Sequence, residues 1–208
     1  MQISFSFDDG SQQDFRTQEL LRKYGFAEQT IFYIPSKSEL TWDGIRELAE
    51  YSEIGGHTVH HPMDMKLLTD ENMAAEIKIN KYELEVVTGK PVLSFCYPRG
   101  RFDENVKKAV MDAGYIEART TRVMQTFASG DAYEKDTTIH MNPRDEYNGK
   151  HWLEVAKDML GLTGGAGVID YFHVWGHSWE IEKNNDWHHF ETLLELLSDK
   201  EQIWNQQQ

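Results

Sequence analysis

The chain has 208 residues, of which 39% are hydrophobic and 12% aromatic, so it can build one domain with a sizeable core. Its formal net charge of -14 argues against nucleic acid or an anionic membrane surface as the main partner, because both would repel the protein. A single cysteine, Cys96, excludes an internal disulfide framework. We therefore expect one domain over residues 1–208 that acts on a neutral or cationic partner.

The first predicted element is a strand near the start of the chain. Ile3, Phe5 and Phe7 alternate with serines in "ISFSFDDGS", which is the pattern of a strand with one buried face. Asp8 and Asp9 follow at its carboxyl end. Because adjacent carboxylates repel each other, this position favours a metal ion, a proton or a basic side chain nearby. A solvated turn is the alternative, since Asp-Gly is a common turn dipeptide.

Strands and helices alternate along the rest of the chain. The further predicted strands are "TIFYI" from Thr30, "VLSFCYP" at residues 92–98, "YIEART" at 115–120 and "VIDYFHVW" at 168–175. The predicted helices are residues 41–53 and 69–87, "ENVKKAVMDAG" after the cap Asp103, and a C-terminal amphipathic helix through Phe190 and Leu197. This order predicts a parallel sheet or barrel with its functional residues at the carboxyl ends of the strands. Residues 123–150 are polar and turn-rich, and we expect them to be an excursion over the site.

Two observations bear on location. No charged segment followed by an apolar stretch precedes Asp8, so the chain shows no secretory signal. The most apolar run, "VIDYFHVW", is far too short to span a bilayer. We expect a soluble, cytoplasmic protein.

A group of histidines in "EIGGHTVHHP" forms the second candidate site. His57 and His61 are four residues apart, a spacing at which two imidazoles can reach one zinc ion at about 2.0–2.1 Å. Pro62 disfavours a helix through His61, so this would be a site on a loop. Histidines on a polar loop without metal are the alternative, and the paired aspartates upstream count against it.

These motifs together resemble the polysaccharide deacetylases, the NodB-homology carbohydrate esterases. "SFDDG" at residues 6–10 is similar to their first motif and "HTVHH" at residues 57–61 to their second, while "FCYPRG", "ARTT" and "VWGHSWE" are similar to later ones. The resemblance implies an α/β fold, a distorted (β/α) barrel of about seven strands. It also implies that Asp8 is the catalytic base and that Asp9, His57 and His61 bind a divalent metal ion, most often zinc.

The later motifs supply further candidate residues. The resemblance implies that His177 in "VWGHSWE" is the general acid and that the backbone N–H of Arg99 stabilises the oxyanion. Tyr97, Trp175 and Trp179 are candidate contacts to the sugar, because aromatic rings suit the apolar faces of pyranoses. For the two tryptophans, packing in the core is the alternative.

The third motif departs from the pattern of the family. Many members carry an arginine there that pairs with the catalytic base, whereas this chain has Cys96. Arg119 ends the predicted strand "YIEART", so in a barrel it can point into the same mouth as Asp8 and hold that carboxylate ionised. Arg99 is the rival candidate. A surface arginine that pairs with Glu117 is the third interpretation of Arg119.

The expected activity is metal-dependent removal of acetyl groups from an N- or O-acetylated sugar or glycan. A motif with Asp and Trp that is common in this family is not visible, so a deacylase of small non-sugar amides remains an alternative. A carbohydrate-binding relative without turnover is another. The presence of the motif residues Asp8, Asp9, His57, His61 and His177 argues against it.

Overall fold

The computed structural model describes the backbone of residues 1–163 and 169–205, with side chains up to Asp199. The strands are β1 Gln2–Asp8, β2 Thr30–Ile34, β3 Glu53–Gly56, β4 Ser94–Cys96, β5 Glu117–Arg119, β6 Ile139–His140 and β7 Tyr171–Gly176. The helices are α1 Asp14–Tyr24, α2 Trp42–Leu48, α3 Asp70–Thr88, α4 Glu104–Asp112, α5 Trp152–Met159, α6 Ser178–Lys183 and α7 Trp187–Asn205. Among these helices none has the length and apolarity needed to cross a membrane.

The seven strands form one parallel sheet in the order β5-β4-β3-β2-β1-β7-β6. The sheet curls into a half-barrel with helices outside it, which confirms the expected distorted barrel. In a parallel sheet the carboxyl ends of all strands point in the same direction, so the residues after each strand meet at one mouth of the barrel.

The interior strand β1 divides its side chains between two environments. Phe5 and Phe7 pack outward, and both rings contact Phe190 of α7, with ring centroids 6.5 and 5.8 Å apart. Ser6 and Asp8 have the opposite parity and face the interior of the barrel. The alternation in the sequence therefore sets both the hydrophobic core and the inward direction of Asp8.

A buried histidine lies beside β1 inside the barrel. His173 on β7 pairs with Ser4 in the strand register, and its two ring nitrogens lie 2.7 Å from the hydroxyls of Ser4 and Ser6. Burial lowers the pKa of His173 to about 3, so the ring is neutral at physiological pH.

Several elements differ from the sequence expectations. The helix expected over 41–53 ends at Leu48, because Glu53 already belongs to β3. Helix α1 was not expected, although Ser11 and Asp14 form the Ser-x-x-Asp pattern of a helix start, and the backbone N–H of Ser11 donates to the Asp14 carboxylate. Helices α5 and α6 were also missed. The last predicted strand begins at Tyr171, and Val168 lies outside the described residues.

The segment 123–150, which was expected to be an excursion over the site, forms part of the sheet. It contains β6, which runs parallel to β7, and its earlier part hydrogen-bonds to the opposite edge of the sheet, where Lys135 N–H donates to Ala118 O and Thr120 N–H to Lys135 O. The segment therefore links the two edges of the curled sheet. Its strand of two residues is too short to produce a periodic sequence pattern.

Two glycines let tyrosine rings cover β3 just before the histidine loop. A Cβ at Gly55 would lie 2.3 Å from the Tyr33 ring, and a Cβ at Gly56 would lie 2.0 Å from the Tyr115 hydroxyl. Both tyrosines are buried. The sequence "GG" before His57 is thus required by packing of the barrel interior and of the core outside it.

We predict that Gly56→Ala lowers the free energy of unfolding by about 1–3 kcal/mol, because the new methyl group overlaps a buried ring. Gly130→Ala is the matched control, since a Cβ there meets nothing within 4 Å. Chemical denaturation of both variants measures the difference. Equal stability of the two variants would contradict the packing argument.

Candidate metal and catalytic site

The site begins at a strained turn directly after β1. Asp9 has a φ of 79° and Gly10 a φ of 66°, and the backbone N–H of Asp9 donates to Tyr33 O at 3.1 Å. A non-glycine residue with such a φ is uncommon and concentrates at functional sites. The turn separates the two carboxylates, because Asp8 continues into the barrel while Asp9 is directed to its mouth.

Asp8 forms a buried ion pair with Arg119 across the barrel. Arg119 Nη2 lies 2.5 Å from Asp8 Oδ1, and the two side chains are 2% and 4% exposed. Burial by itself would raise the pKa of Asp8, but Arg119, His57 and His177 lower it to about 2. Asp8 is therefore ionised at neutral pH. The structure brings together the two residues that the sequence paired, and the catalytic contribution of Arg119 stays a prediction.

Cys96 lies beside this ion pair and contacts both partners. Its Sγ is 2.9 Å from Arg119 Nη2 and 3.5 Å from Asp8 Oδ2. Burial raises the pKa of the Cys96 thiol, so it remains protonated. The small thiol leaves room for the guanidinium to reach Asp8 from the neighbouring strand β5.

Asp9, His57 and His61 have the geometry of a three-residue metal site. Asp9 Oδ1 lies 3.7 Å from His57 Nε2 and 3.5 Å from His61 Nε2. Ligand atoms about 2.1 Å from a tetrahedral ion are about 3.4 Å apart, so these separations leave room for the ion. His57 Nδ1 lies 2.7 Å from Cys96 O, and because a carbonyl only accepts, Nδ1 carries the proton and Nε2 keeps its lone pair. The residues present therefore fit a divalent cation.

Three other groups of potential ligands fit a divalent cation less well than this trio does. The groups His140, His177, Glu180 and His151, Asp186, His189 each contain an imidazole–carboxylate distance of 2.7 or 2.8 Å, which is a hydrogen bond and leaves no place for an ion between the atoms. The group Asp8, His57, Cys96 already has the Arg119 guanidinium against it. Within the described residues, the trio of Asp9, His57 and His61 is thus the best metal site.

Helix α3 fixes the histidine loop, a role that the sequence analysis missed. The Glu76 carboxylate accepts from the backbone N–H groups of Val59 and His60 at 3.0 and 2.8 Å. Asn80 Oδ1 accepts from the backbone N–H of His57 at 2.9 Å. The sequence signal that could have indicated this role was the pair Glu76 and Asn80, which are four positions apart and lie beside the apolar face of the predicted helix.

His177 joins the site from the end of β7. Its Nε2 lies 3.6 Å from Asp9 Oδ2, and its Nδ1 lies 2.7 Å from Glu180 Oε2. Burial would lower the pKa of His177, but the carboxylates of Glu180, Asp8 and Asp9 outweigh it and raise the pKa. His177 therefore holds a proton at higher pH than a free histidine does.

The remaining predicted residues occupy different environments. Arg99 has a φ of 57° in the short 3₁₀ helix Pro98–Gly100, and its side chain is exposed. Tyr97 is buried and donates from its hydroxyl to Tyr133 O at 3.0 Å. Trp175 is 3% exposed and stacks on His140 with ring centroids 3.9 Å apart. Burial leaves neither Tyr97 nor Trp175 a free face for a sugar, whereas Trp179 is 37% exposed.

Two further residues at the mouth were not predicted. His140 comes from β6, inside the segment for which no regular element was expected. Glu180 belongs to the motif "VWGHSWE", where its position three residues after His177 could have indicated the contact on a helix. Burial would raise the pKa of Glu180, but the neighbouring imidazoles of His140 and His177 lower it to about 2.

Comparison with known proteins shows the family to which the chain belongs. A model of the polysaccharide deacetylase family matches residues 1–118, more than half of the chain. The chain belongs to the polysaccharide deacetylase family. The matched region includes Asp8, Asp9, His57 and His61, whereas His177 lies beyond it.

Individual relatives agree with the family match. YxkH of Bacillus subtilis (strain 168) is 29% identical over 125 residues, which are 57% of this chain and 44% of YxkH. The family 4 carbohydrate esterase from Streptomyces lividans, solved in complex with acetate, has a TM-score of 0.62 at 14% identity, covering 94% of this chain and 88% of that one.

A second similar solved structure is a mutant of BA3943 from Bacillus anthracis, a pseudoenzyme with restored enzymatic activity. Its TM-score is 0.65 at 15% identity, covering 95% of this chain and 62% of that one. At these identities the two solved structures show the fold alone. The chain spans less than half the length of YxkH, its curated relative.

We predict that Asp9→Ala and His57→Ala each abolish stoichiometric zinc binding, because each removes one of three ligands. His60→Ala is the control from the same loop, since the His60 ring is directed to Glu76 and not to the trio. Elemental analysis after dialysis against zinc gives the result. Zinc retained at about one equivalent in both ligand variants would refute the assignment.

Proposed function

We propose that the protein is a metal-dependent hydrolase that removes acetyl groups from an N- or O-acetylated sugar or glycan. The observation that carries this proposal is the juxtaposition, at one mouth of the barrel, of the metal-site trio with the Asp8–Arg119 pair and His177. Membership of the polysaccharide deacetylase family supports it.

Asp9, His57 and His61 would hold the metal ion, for which zinc is the best choice. Such an ion polarises a carbonyl and lowers the pKa of water, which is the chemistry that acetyl hydrolysis needs. Asp8 directly precedes Asp9 in the chain and is ionised at neutral pH, so it can accept the proton of the attacking water. Arg119 keeps that carboxylate charged and in a fixed orientation.

His177 would protonate the leaving group, and its Nε2 faces Asp9 from the end of the neighbouring strand β7. For the developing oxyanion we propose the backbone N–H of Arg99, because the positive φ there turns the backbone out of its regular course. Among the predicted sugar contacts we retain Trp179, whose ring centroid is 5.4 Å from that of His177. Tyr97 and Trp175 would support the walls of the site.

One alternative function has specific support, namely glycan binding without hydrolysis, because the similar protein BA3943 is described as a pseudoenzyme. The complete set of Asp8, Asp9, His57, His61 and His177 favours an active enzyme here. An amidase that acts on small non-sugar amides would use the same residues and is distinguished by substrate.

We predict that the zinc-loaded protein releases acetate from at least one of a panel of acetylated sugars and chito-oligosaccharides, and that a chelator abolishes the release. Asp8→Asn should bind zinc but lose at least about 100-fold in rate, because an amide does not accept the proton of water. Asp43→Asn, at an exposed position, is the matched control.

Acetate release and bound zinc are measured together, with circular dichroism as the check that each variant is folded. Release from simple amides alone would favour the amidase. Full activity of the Asp8→Asn variant would reassign the base, and inactivity of the wild type on the whole panel would overturn the proposed function.

A further inference from the structure

A single carboxylate lies behind the proposed acid and contacts three side chains. Glu180 Oε2 is 2.7 Å from His177 Nδ1 and 3.5 Å from His140 Nε2, while Oε1 accepts from the Asn142 amide. The Glu180 side chain is 12% exposed. These contacts come from two directions, because His177 precedes α6 whereas His140 and Asn142 belong to the segment that links the sheet edges.

His140 has a well-defined place although it lacks a close hydrogen bond. It is buried, and its ring is nearly parallel to that of Trp175, with an interplanar angle of 16°. The guanidinium of Arg119 lies 4.5 Å from the same indole centroid. A continuous packed wall therefore runs from Arg119, which holds Asp8, through Trp175 and His140 to Glu180.

The hydrogen bond to Glu180 determines which nitrogen of His177 faces the site. An ionised carboxylate only accepts, so Nδ1 carries the proton and Nε2 is the atom turned to Asp9. A ring free to rotate about its side-chain bonds would lose this orientation.

We propose that Glu180 is the positioning residue of His177, and that His140 and Asn142 hold Glu180 in place. This inference rests on the proposed function and deepens it, because it assigns the linking segment a part in the acid step. Proton donation by His177 then depends on Glu180, whereas water attack at the metal site does not.

The experiment compares two substrates that differ in their leaving groups. An N-acetylated sugar expels an amine that needs a proton, whereas 4-nitrophenyl acetate expels a nitrophenolate that needs none. Glu180→Gln should lower kcat at least about 10-fold on the first and less than about 3-fold on the second, with zinc content unchanged. Glu182→Gln on the same helix is the control, since that exposed carboxylate lies 3.5 Å from Arg16, away from His177.

A second variant guards against a folding defect. His140→Phe keeps a ring against Trp175 but loses the contact to Glu180, and it should show a smaller loss with the same dependence on the leaving group. Equal losses on both substrates, or no loss on either, in the Glu180→Gln protein would overturn the proposal.

An activity-independent measurement separates this inference from the proposed function. In NMR spectra of the zinc-loaded protein, His177 should show a strongly hydrogen-bonded, downfield Nδ1–H proton that moves upfield or is lost in Glu180→Gln, because a neutral amide oxygen accepts more weakly than a carboxylate, and that is retained in Glu182→Gln. If the wild type hydrolyses neither substrate, the proposed function fails, and this signal alone decides the positioning role. An unchanged signal in Glu180→Gln would overturn it.

Discussion

The ion pair between Asp8 and Arg119 is the interaction on which the rest of the site depends. It joins the interior strand β1 to β5 at one edge of the sheet, four positions away in strand order, so it requires the sheet to curl. Removing two charges from water costs several kcal/mol per ion, and a close pair offsets that cost only while both partners are present. Cys96 accommodates the pair because its thiol is small enough for the guanidinium to pass.

The other parts of the mouth are arranged around this pair. On one side the turn after Asp8 presents Asp9 to His57 and His61, whose loop is held by α3. On the other side, the packed wall of Trp175 and His140 leads from Arg119 to the carboxylate behind His177. The proposed base, metal site and acid thus have separate supports that meet at the carboxyl ends of the strands, where strained turns such as that at Asp9 are tolerated.

The sequence predicted the parts of the site that depend on local pattern or on strand ends. Alternation in β1 directed Asp8 inward, and the end of β5 directed Arg119 to the same mouth. It did not predict His140, because β6 has two residues and pairs with a strand more than thirty positions later. The burial of Tyr97 was equally hidden, since an aromatic ring near a strand end can pack on either side and distant residues decide which; for Trp175 the sequence already offered the core packing that the structure shows. Helix α1 was missed although Ser11 and Asp14 form a Ser-x-x-Asp pattern that is typical of a helix start.

A double-mutant cycle of the free energy of unfolding tests the central claim most directly. Asp8→Asn and Arg119→Met should each cost about 3–5 kcal/mol, because either change leaves a buried partner uncompensated. The double variant should be more stable than the sum of the two losses predicts, by about 2 kcal/mol or more. A coupling energy below about 0.5 kcal/mol would mean that the two residues act independently, and it would contradict the account of a barrel organised around this ion pair.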